Sequence, residues 1–289
     1  MLKKSLRGDL ILLFVTLCWG LTFPLIRDAV ATVNPVLFVG ARFLLAALVL
    51  LPFVWRDNIF KPRGILKAGL ILGVFNIMLY TAQTVSLEMI SSSQSAFITG
   101  SSVVLVPLLL PLFRLGKPTG SDIVCAVVCL LGLFVLTGAR FAALGVGDAW
   151  AFVCAISLAM SIVYLQKATL NLEKVNLLAF YQIFFTGVLA GFWVRPSHAS
   201  SLLAPEPLAA LLFCAVMATS VALLLQTRYQ RYTTASRAAL IFTMEPIFGT
   251  LFAFWINGSR VGLQTWVGGA LIIASILLSE GLRKTQAKN

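Results

Sequence analysis

The chain has 289 residues, of which 60% are apolar and 11% charged, and its mean hydropathy is +0.97. This composition excludes a soluble globular domain, and the short polar stretches between apolar runs leave no room for a nucleotide-binding module. A net charge of +12 invites a nucleic-acid reading, but the basic residues are placed as membrane topology requires, so no nucleic-acid partner is expected.

Ten apolar runs are predicted as transmembrane helices: 10–28, 35–55, 66–87, 93–113, 121–138, 148–166, 175–194, 207–227, 235–256 and 264–282. Each holds about 17–22 residues, enough to cross a hydrocarbon core of ~30 Å. The first run, between Lys3-Lys4 and Ala29-Val30-Ala31, imitates a signal peptide. It is too long for a signal h-region and nine more runs follow, so it reads as an uncleaved first helix. It carries Thr16 and Trp19 on one face, then Thr22 and Pro24. Span 2 holds Arg42, which can either bind an anion or send its long stem to the outer interface. The second, structural reading is preferred for it.

Span 3 shows Asn76, Tyr80 and Gln83 at i, i+4 and i+7, and span 4 shows Ser92, Ser95, Thr99 and Ser102 in register on one face. Pro107 and Pro111 are expected to kink span 4. Span 5 is bare of polar residues until its ends, and its Cys125 and Cys129 lack the further ligands that a metal site needs. Span 6 shows Ser157, Ser161 and Tyr164, span 8 shows Thr219 and Gln226, and span 9 shows Thr243, Glu245 and Pro246. Span 10 is bare like span 5. Gly69…Gly73 and Gly187…Gly191 match GxxxG and are read as packing within one copy rather than as dimer contacts. Trp55, Trp193 and Trp255 sit at span ends as interface anchors.

Polar side chains persist in hydrocarbon where they face protein or water. The striped spans 1, 3, 4, 6, 8 and 9 are therefore expected around a central cavity. Sliding the chain by about 140 residues aligns Gly8-Asp9 with Gly147-Asp148, and 96–138 with 238–280. Two five-span units follow, 1–140 and 141–289, and because five is odd they sit upside down relative to each other, as in many secondary transporters. The expected fold is thus an all-α membrane protein of ten transmembrane helices, two inverted five-helix repeats around a central cavity. Seventeen of the 22 basic residues fall on one set of loop sides, which orients the protein with both termini cytoplasmic.

Glu245 lies about midway along span 9, where a carboxylate costs at least ~2.5–3.5 kcal/mol. It reads as a proton site, as an anchor for a substrate ammonium group, or as a local bonding partner at the Pro246 kink. No catalytic constellation is present: His198 is the one histidine, and neither Gly-x-Ser-x-Gly nor His-Glu-x-x-His occurs. The substrate-binding candidates are Trp19, Asn76, Tyr80, Gln83, Ser95, Thr99, Ser102, Ser161, Tyr164, Gln226 and Glu245. No cofactor or metal is expected.

Three motifs carry a family resemblance. Cys18-Trp19-Gly20-Leu21-Thr22-Phe23-Pro24 resembles the Trp-Gly element in the first helix of the drug/metabolite transporter superfamily. Arg42-Phe43-Leu44-Leu45-Ala46-Ala47 resembles its Arg-Phe element, and Met244-Glu245-Pro246-Ile247-Phe248 the Glu-Pro element of its ninth helix. Within the superfamily the whole chain is similar to EamA-domain proteins with two five-helix units. The resemblance implies a ten-helix carrier, in a group dominated by exporters of amino acids and related metabolites. The second half departs from the pattern: Leu158-Ala159 replaces the Trp-Gly pair, and no arginine answers Arg42. Clustered basic residues within the spans, which sugar phosphates would favour, are absent from the sequence.

The expected function is secondary export of a small neutral or zwitterionic metabolite, amino acids foremost, by alternating access. The alternatives are proton-coupled export of cationic drugs through Glu245 and, from another class, a membrane scaffold or intramembrane enzyme. The partners are a small-molecule substrate, the bilayer and, in the coupled reading, protons. A monomer is expected, with a homodimer the other arrangement. Reporter fusions after Lys117, Lys174 and Arg231 should report cytoplasm, and fusions after Asn34 and Ser200 the opposite side. A cytoplasmic signal at Ser200 would require an even number of spans per half and would break the inversion.

Overall fold

A computed structural model describes residues 2–55, 63–138, 144–192, 196–257 and 262–286. Every regular element among them is helical. In chain order they are α1 (Leu2–Gly20), α2 (Thr22–Val30), α3 (Pro35–Val54), α4 (Arg63–Met89), α5 (Ser92–Gly100), α6 (Ser102–Leu109) and α7 (Gly120–Thr137). Then come α8 (Val146–Thr169), α9 (Val175–Gly191), a 3₁₀ segment (Pro196–Leu203), α10 (Pro205–Ala215), a π-helical turn (Val216–Val221) and α11 (Ala222–Tyr229). A short 3₁₀ turn (Gln230–Tyr232), α12 (Ala235–Phe242), α13 (Glu245–Asn257) and α14 (Leu263–Gln286) complete the chain.

Helix starts follow local chemistry. Asn34 accepts from the backbone of Val36 and Leu37 at 3.0 and 3.2 Å, and Pro35, lacking an N–H, opens α3 without loss. Thr119 and Asp122 cap α7 reciprocally, and Asp148 accepts from Gly145 N at 2.9 Å to start α8.

Among the described residues, seven helical stretches are long and apolar enough to cross a membrane: 35–54, 64–89, 92–109, 120–137, 146–169, 205–232 and 263–282. The other three expected spans fall short for identifiable reasons. The first begins among Lys3, Lys4, Arg7 and Asp9 and breaks at Leu21. The seventh forms a shorter apolar helix, 175–191. The ninth divides into α12 and α13. The outer surface carries Leu48, Phe53, Leu112, Leu131, Trp266 and Leu277, each more than half exposed, a coat suited to lipid rather than water. Trp55 and Trp255 are likewise exposed at their span ends, whereas Trp193 lies outside the described residues.

The bare helices α7 and α14 pack on each other, and α9 packs between α3 and α4. Gly69 and Gly73 permit this last contact. A Cβ on them would lie 2.3 Å from Tyr181 Cβ and 2.7 Å from Phe185 Cβ on α9. The GxxxG of α4 thus serves packing within the copy, as its sequence suggested.

Spans 4 and 9, both proline-bearing, break a few residues before their prolines. Span 4 interrupts at Ser101, before Pro107, which sits inside α6, and Pro111 lies in the turn beyond α6. Span 9 interrupts at Thr243–Met244. Ser101 and Thr243 are equivalent under the 142-residue shift that aligns the halves, and each hydroxyl donates back to a carbonyl three residues earlier, Ile98 O and Leu240 O, both at 2.6 Å. Such back-bonding can bend a helix, but Thr16, Thr84 and Ser275 make the same kind of bond inside unbroken helices, so it accompanies both breaks without by itself making them. Pro246 deepens the second break alone.

The two repeat-marking aspartates also make related contacts. Asp9 on α1 accepts from Arg237 Nε of α12 at 2.9 Å, and Asp148 on α8 accepts from Gln94 Nε2 of α5 at 2.5 Å. Arg237, 6% exposed, further pairs with Glu280 at 2.9 Å and so ties α1, α12 and α14 together. Replacing Arg237 by Met strands a buried carboxylate, and the protein should lose about 3–5 kcal/mol of stability. Thermal unfolding in detergent measures this, and Arg237→Lys should recover part of the loss.

Candidate functional site

The site begins with an irregular turn. At Val216–Val221 the rod of α10 and α11 winds as a π-helix, and the Ala222 N–H bonds to Met217 O and Thr219 O, passing over Ala218 O. That carbonyl is left to side chains from other helices. Trp19 Nε1 of α1 donates to it at 3.0 Å and Arg42 Nη2 of α3 at 3.3 Å. Beside it, Thr219 Oγ1 accepts from Arg42 Nε at 2.6 Å, and Ser220 Oγ donates to Ala46 O at 3.1 Å. Single π-turns of this kind recur at functional sites because they redirect backbone groups.

Arg42 is therefore not an interface-reaching side chain. It is 2% exposed, and its guanidinium carbon stands 5.0 Å from the Tyr80 ring centroid and 5.7 Å from that of Phe43. A freed carbonyl, a hydroxyl and two π-faces compensate the charge where it lies, so the stem has no cause to extend to water.

Next to this cluster is a cavity of about 530 Å³, counting the solvent-open part, lined by Trp19, Thr22, Arg42, Asn76, Leu79, Tyr80, Gln83, Thr99, Leu158, Ser161, Leu223, Gln226 and Glu245. A second space of about 410 Å³ shares Trp19, Thr99, Leu158 and Glu245 with it and adds Ser102, Thr243 and Pro246. All six striped spans contribute to these walls. Span 2 contributes as well, through Arg42.

Nine of the eleven candidate residues, all but Ser95 and Tyr164, line one space or the other. Ser95 is fully buried and shares a 2.7 Å hydrogen bond with Ser86. Tyr164 is half-buried between the rings of Phe75 and Phe113, at 6.1 and 6.0 Å. Both follow their stripe in the sequence but point past the cavity, because a stripe spans more of a helix circumference than a cavity touches.

Within the cavity, Ser161 Oγ donates to Asn76 Oδ1 at 3.2 Å, while Asn76 Nδ2 is buried without a partner among the described residues. Gln226 donates to Gln230 at 3.1 Å, and Gln230 to Ile162 O at 2.8 Å. Glu245 opens α13 in its first turn, where the helix dipole favours negative charge. Among the described residues its carboxylate has neither a hydrogen bond nor an ion pair. Gly20 brings α1 against this turn, since a Cβ there would meet Phe248 Cβ at 2.6 Å and Glu245 O at 3.0 Å. The Trp-Gly pair thus works as a unit: the glycine allows the approach and the tryptophan forms the wall.

Arg42, Thr22, Leu79, Leu158 and Leu223 are lining residues outside the sequence-based set. Arg42 carried a usable signal, since an intramembrane charge marks a site by default. The leucines carried none. In a cysteine-free variant, cysteines at Gln83 or Ser161 should react with a water-soluble thiol reagent, and one at Ser95 should not. Absence of labelling at Gln83 and Ser161 would mean that the cavity does not admit water.

Comparison with known proteins agrees with this architecture. The EamA-like transporter family matches the chain twice, over residues 6–138 and 145–280. An uncharacterized transporter of Archaeoglobus fulgidus is 28% identical over 275 residues, covering 95% of this chain and 86% of that protein. The uncharacterized transporter YvbV of Bacillus subtilis is 25% identical over 293 residues, covering 97% and 93%. A crystal structure at 16% identity superposes with a TM-score of 0.78, over 97% of this chain and 98% of that one, and shares the fold. With both halves matched, the chain belongs to the EamA-like transporter family, within the drug/metabolite transporter superfamily, and is a multi-pass membrane transporter.

Proposed function

We propose that this transporter is a secondary carrier that exports small neutral or zwitterionic metabolites, amino acids foremost, by alternating access. In this reading ten transmembrane helices form two inverted five-helix repeats, 1–140 and 141–289, in the inner membrane with both termini in the cytoplasm, and the carrier works as a monomer. The observation that carries it is a single cavity whose walls come from both halves. Sites at a repeat interface are where rocking of one half against the other changes access. The repeat-equivalent breaks at Ser101 and Thr243, which also meets Cys129 at 2.9 Å, support it by giving each half a bent helix at the cavity. The binding residues are Trp19, Asn76, Tyr80, Gln83, Thr99, Ser102, Ser161, Gln226 and Glu245. A few polar groups among Trp19, Leu79, Tyr80, Leu158 and Leu223 suit small amphipathic solutes.

A second reading, proton-coupled export of cations, draws support from the unpaired Glu245 carboxylate. Glu245→Gln separates the roles, because it keeps size and hydrogen bonding but removes both charge and titration. If the carboxylate anchors a substrate ammonium group, binding should weaken by about 1.5–3 kcal/mol. If it couples protons, binding should persist while uptake into proteoliposomes ceases to respond to a pH gradient. A binding titration run beside transport with and without the gradient distinguishes the two. Wild-type behaviour in both assays would remove Glu245 from the mechanism.

A further inference from the structure

Arg42 and Glu245 line one cavity, yet they form no ion pair with each other or, among the described residues, with any other group. Dipoles and ring faces hold the Arg42 charge, but among the described residues no carboxylate stands within ion-pair distance of it, which leaves its cavity-facing N–H groups open to an anionic ligand. Arg42 is held rigidly enough to act as such a site. Of the five N–H bonds of a guanidinium, one on Nε is committed to Thr219 and one on Nη2 to Ala218 O. The remainder have no acceptor among the described residues.

A second donor stands nearby. Asn76 precedes Tyr80 by one helical turn, and the Tyr80 ring carries the Arg42 guanidinium on its face. Asn76 is 2% exposed, its Oδ1 is occupied by Ser161, and its Nδ2 has no partner among the described residues. This end of the cavity therefore offers donors and a positive charge. Glu245 brings a carboxyl group to the same cavity. A planar guanidinium fork matches a carboxylate, with the amide adding a further hydrogen bond. A cation lacking a carboxylate would meet Arg42 in the same space as a like charge, which disfavours it.

The geometry points to a carboxylate-binding subsite formed by Arg42 and Asn76, oriented by Thr219 and Ala218 O. Together with Glu245 it selects zwitterionic amino acids over their carboxamides. This rests on the amino-acid reading above and narrows it. Under it, the Arg-Phe element of span 2 is the substrate-anion anchor, and Thr219 is a positioning residue.

The test compares each acid with its own amide, so that loss of folding in a variant cannot imitate the result. Purified wild-type protein in detergent is screened by thermal shift against the twenty protein amino acids, and each binder is then titrated calorimetrically beside its carboxamide. The acid should bind at least about tenfold more tightly, as expected for hydrogen bonds to a charged group. Arg42→Gln should erase that preference, and Asn76→Asp, which puts an acceptor and a negative charge in place of the donor, should erase or reverse it. Thr219→Val should reduce it. Equal binding of acid and amide by the wild type would overturn the subsite and leave amino-acid export standing, as would an undiminished preference in both Arg42→Gln and Asn76→Asp. Failure of all twenty amino acids to bind would overturn the amino-acid reading and the subsite together.

Discussion

The carbonyl of Ala218 is the point on which the interior of this transporter depends. In hydrocarbon a backbone carbonyl without a donor is costly, so a helix that winds as a π-turn needs replacement donors from elsewhere. Here they are the indole of Trp19 and the guanidinium of Arg42, which come from two other helices and two distant parts of the chain. One skipped backbone bond therefore fixes α1, α3 and the α10–α11 rod relative to one another. It also lets an arginine stay inside the bundle. Held there by Thr219 and Ala218, the guanidinium covers Tyr80, and Tyr80 with Asn76 and Gln83 presents the polar stripe of α4 to the cavity.

A second constraint is the way two helices break beside that cavity. Ser101 and Thr243 occupy corresponding positions and make the same short bond to the carbonyl three residues before. A helix bent where a hydroxyl back-bonds keeps its donors and acceptors satisfied locally and can flex without exposing them. A proline break removes a donor outright. Only the second half adds a proline at its break, and that half also carries Glu245 in the first turn beyond it. The halves are thus matched in where they bend and unmatched in what chemistry sits at the bend. The same holds at the repeat-marking aspartates: Asp9 meets an arginine, whereas Asp148 meets a glutamine. Duplication supplied the frame, and divergence placed the charges on a few of its positions.

Much of the frame was legible in the sequence because its cause is local. Span length follows from the bilayer, and the polar stripes of spans 1, 3, 4, 6, 8 and 9 follow from helical periodicity in an apolar solvent. Those stripes located most of the cavity lining. They failed at Ser95 and Tyr164, where the face toward neighbouring helices and the face toward the cavity share one stripe, and sequence cannot divide them. Bare, outward-facing α7 and α14 were legible for the same reason as the stripes. The apolar lining residues Leu79, Leu158 and Leu223 left no trace, since a leucine is equally at home against lipid, protein or a substrate.

Arg42 shows where local reading ends. From the sequence its stem had two destinations, the outer interface, which was preferred, and the interior, and nothing within span 2 fixes the choice. The choice is made by a carbonyl and a hydroxyl some 176 residues away, made available by a π-turn that no local pattern announces. The sequence by itself determined the solvent, the repeat, the striped helices and the family, all consequences of composition and periodicity. Tertiary structure alone decided which charges share the cavity, because the partners that stabilise a buried charge come from helices far apart along the chain.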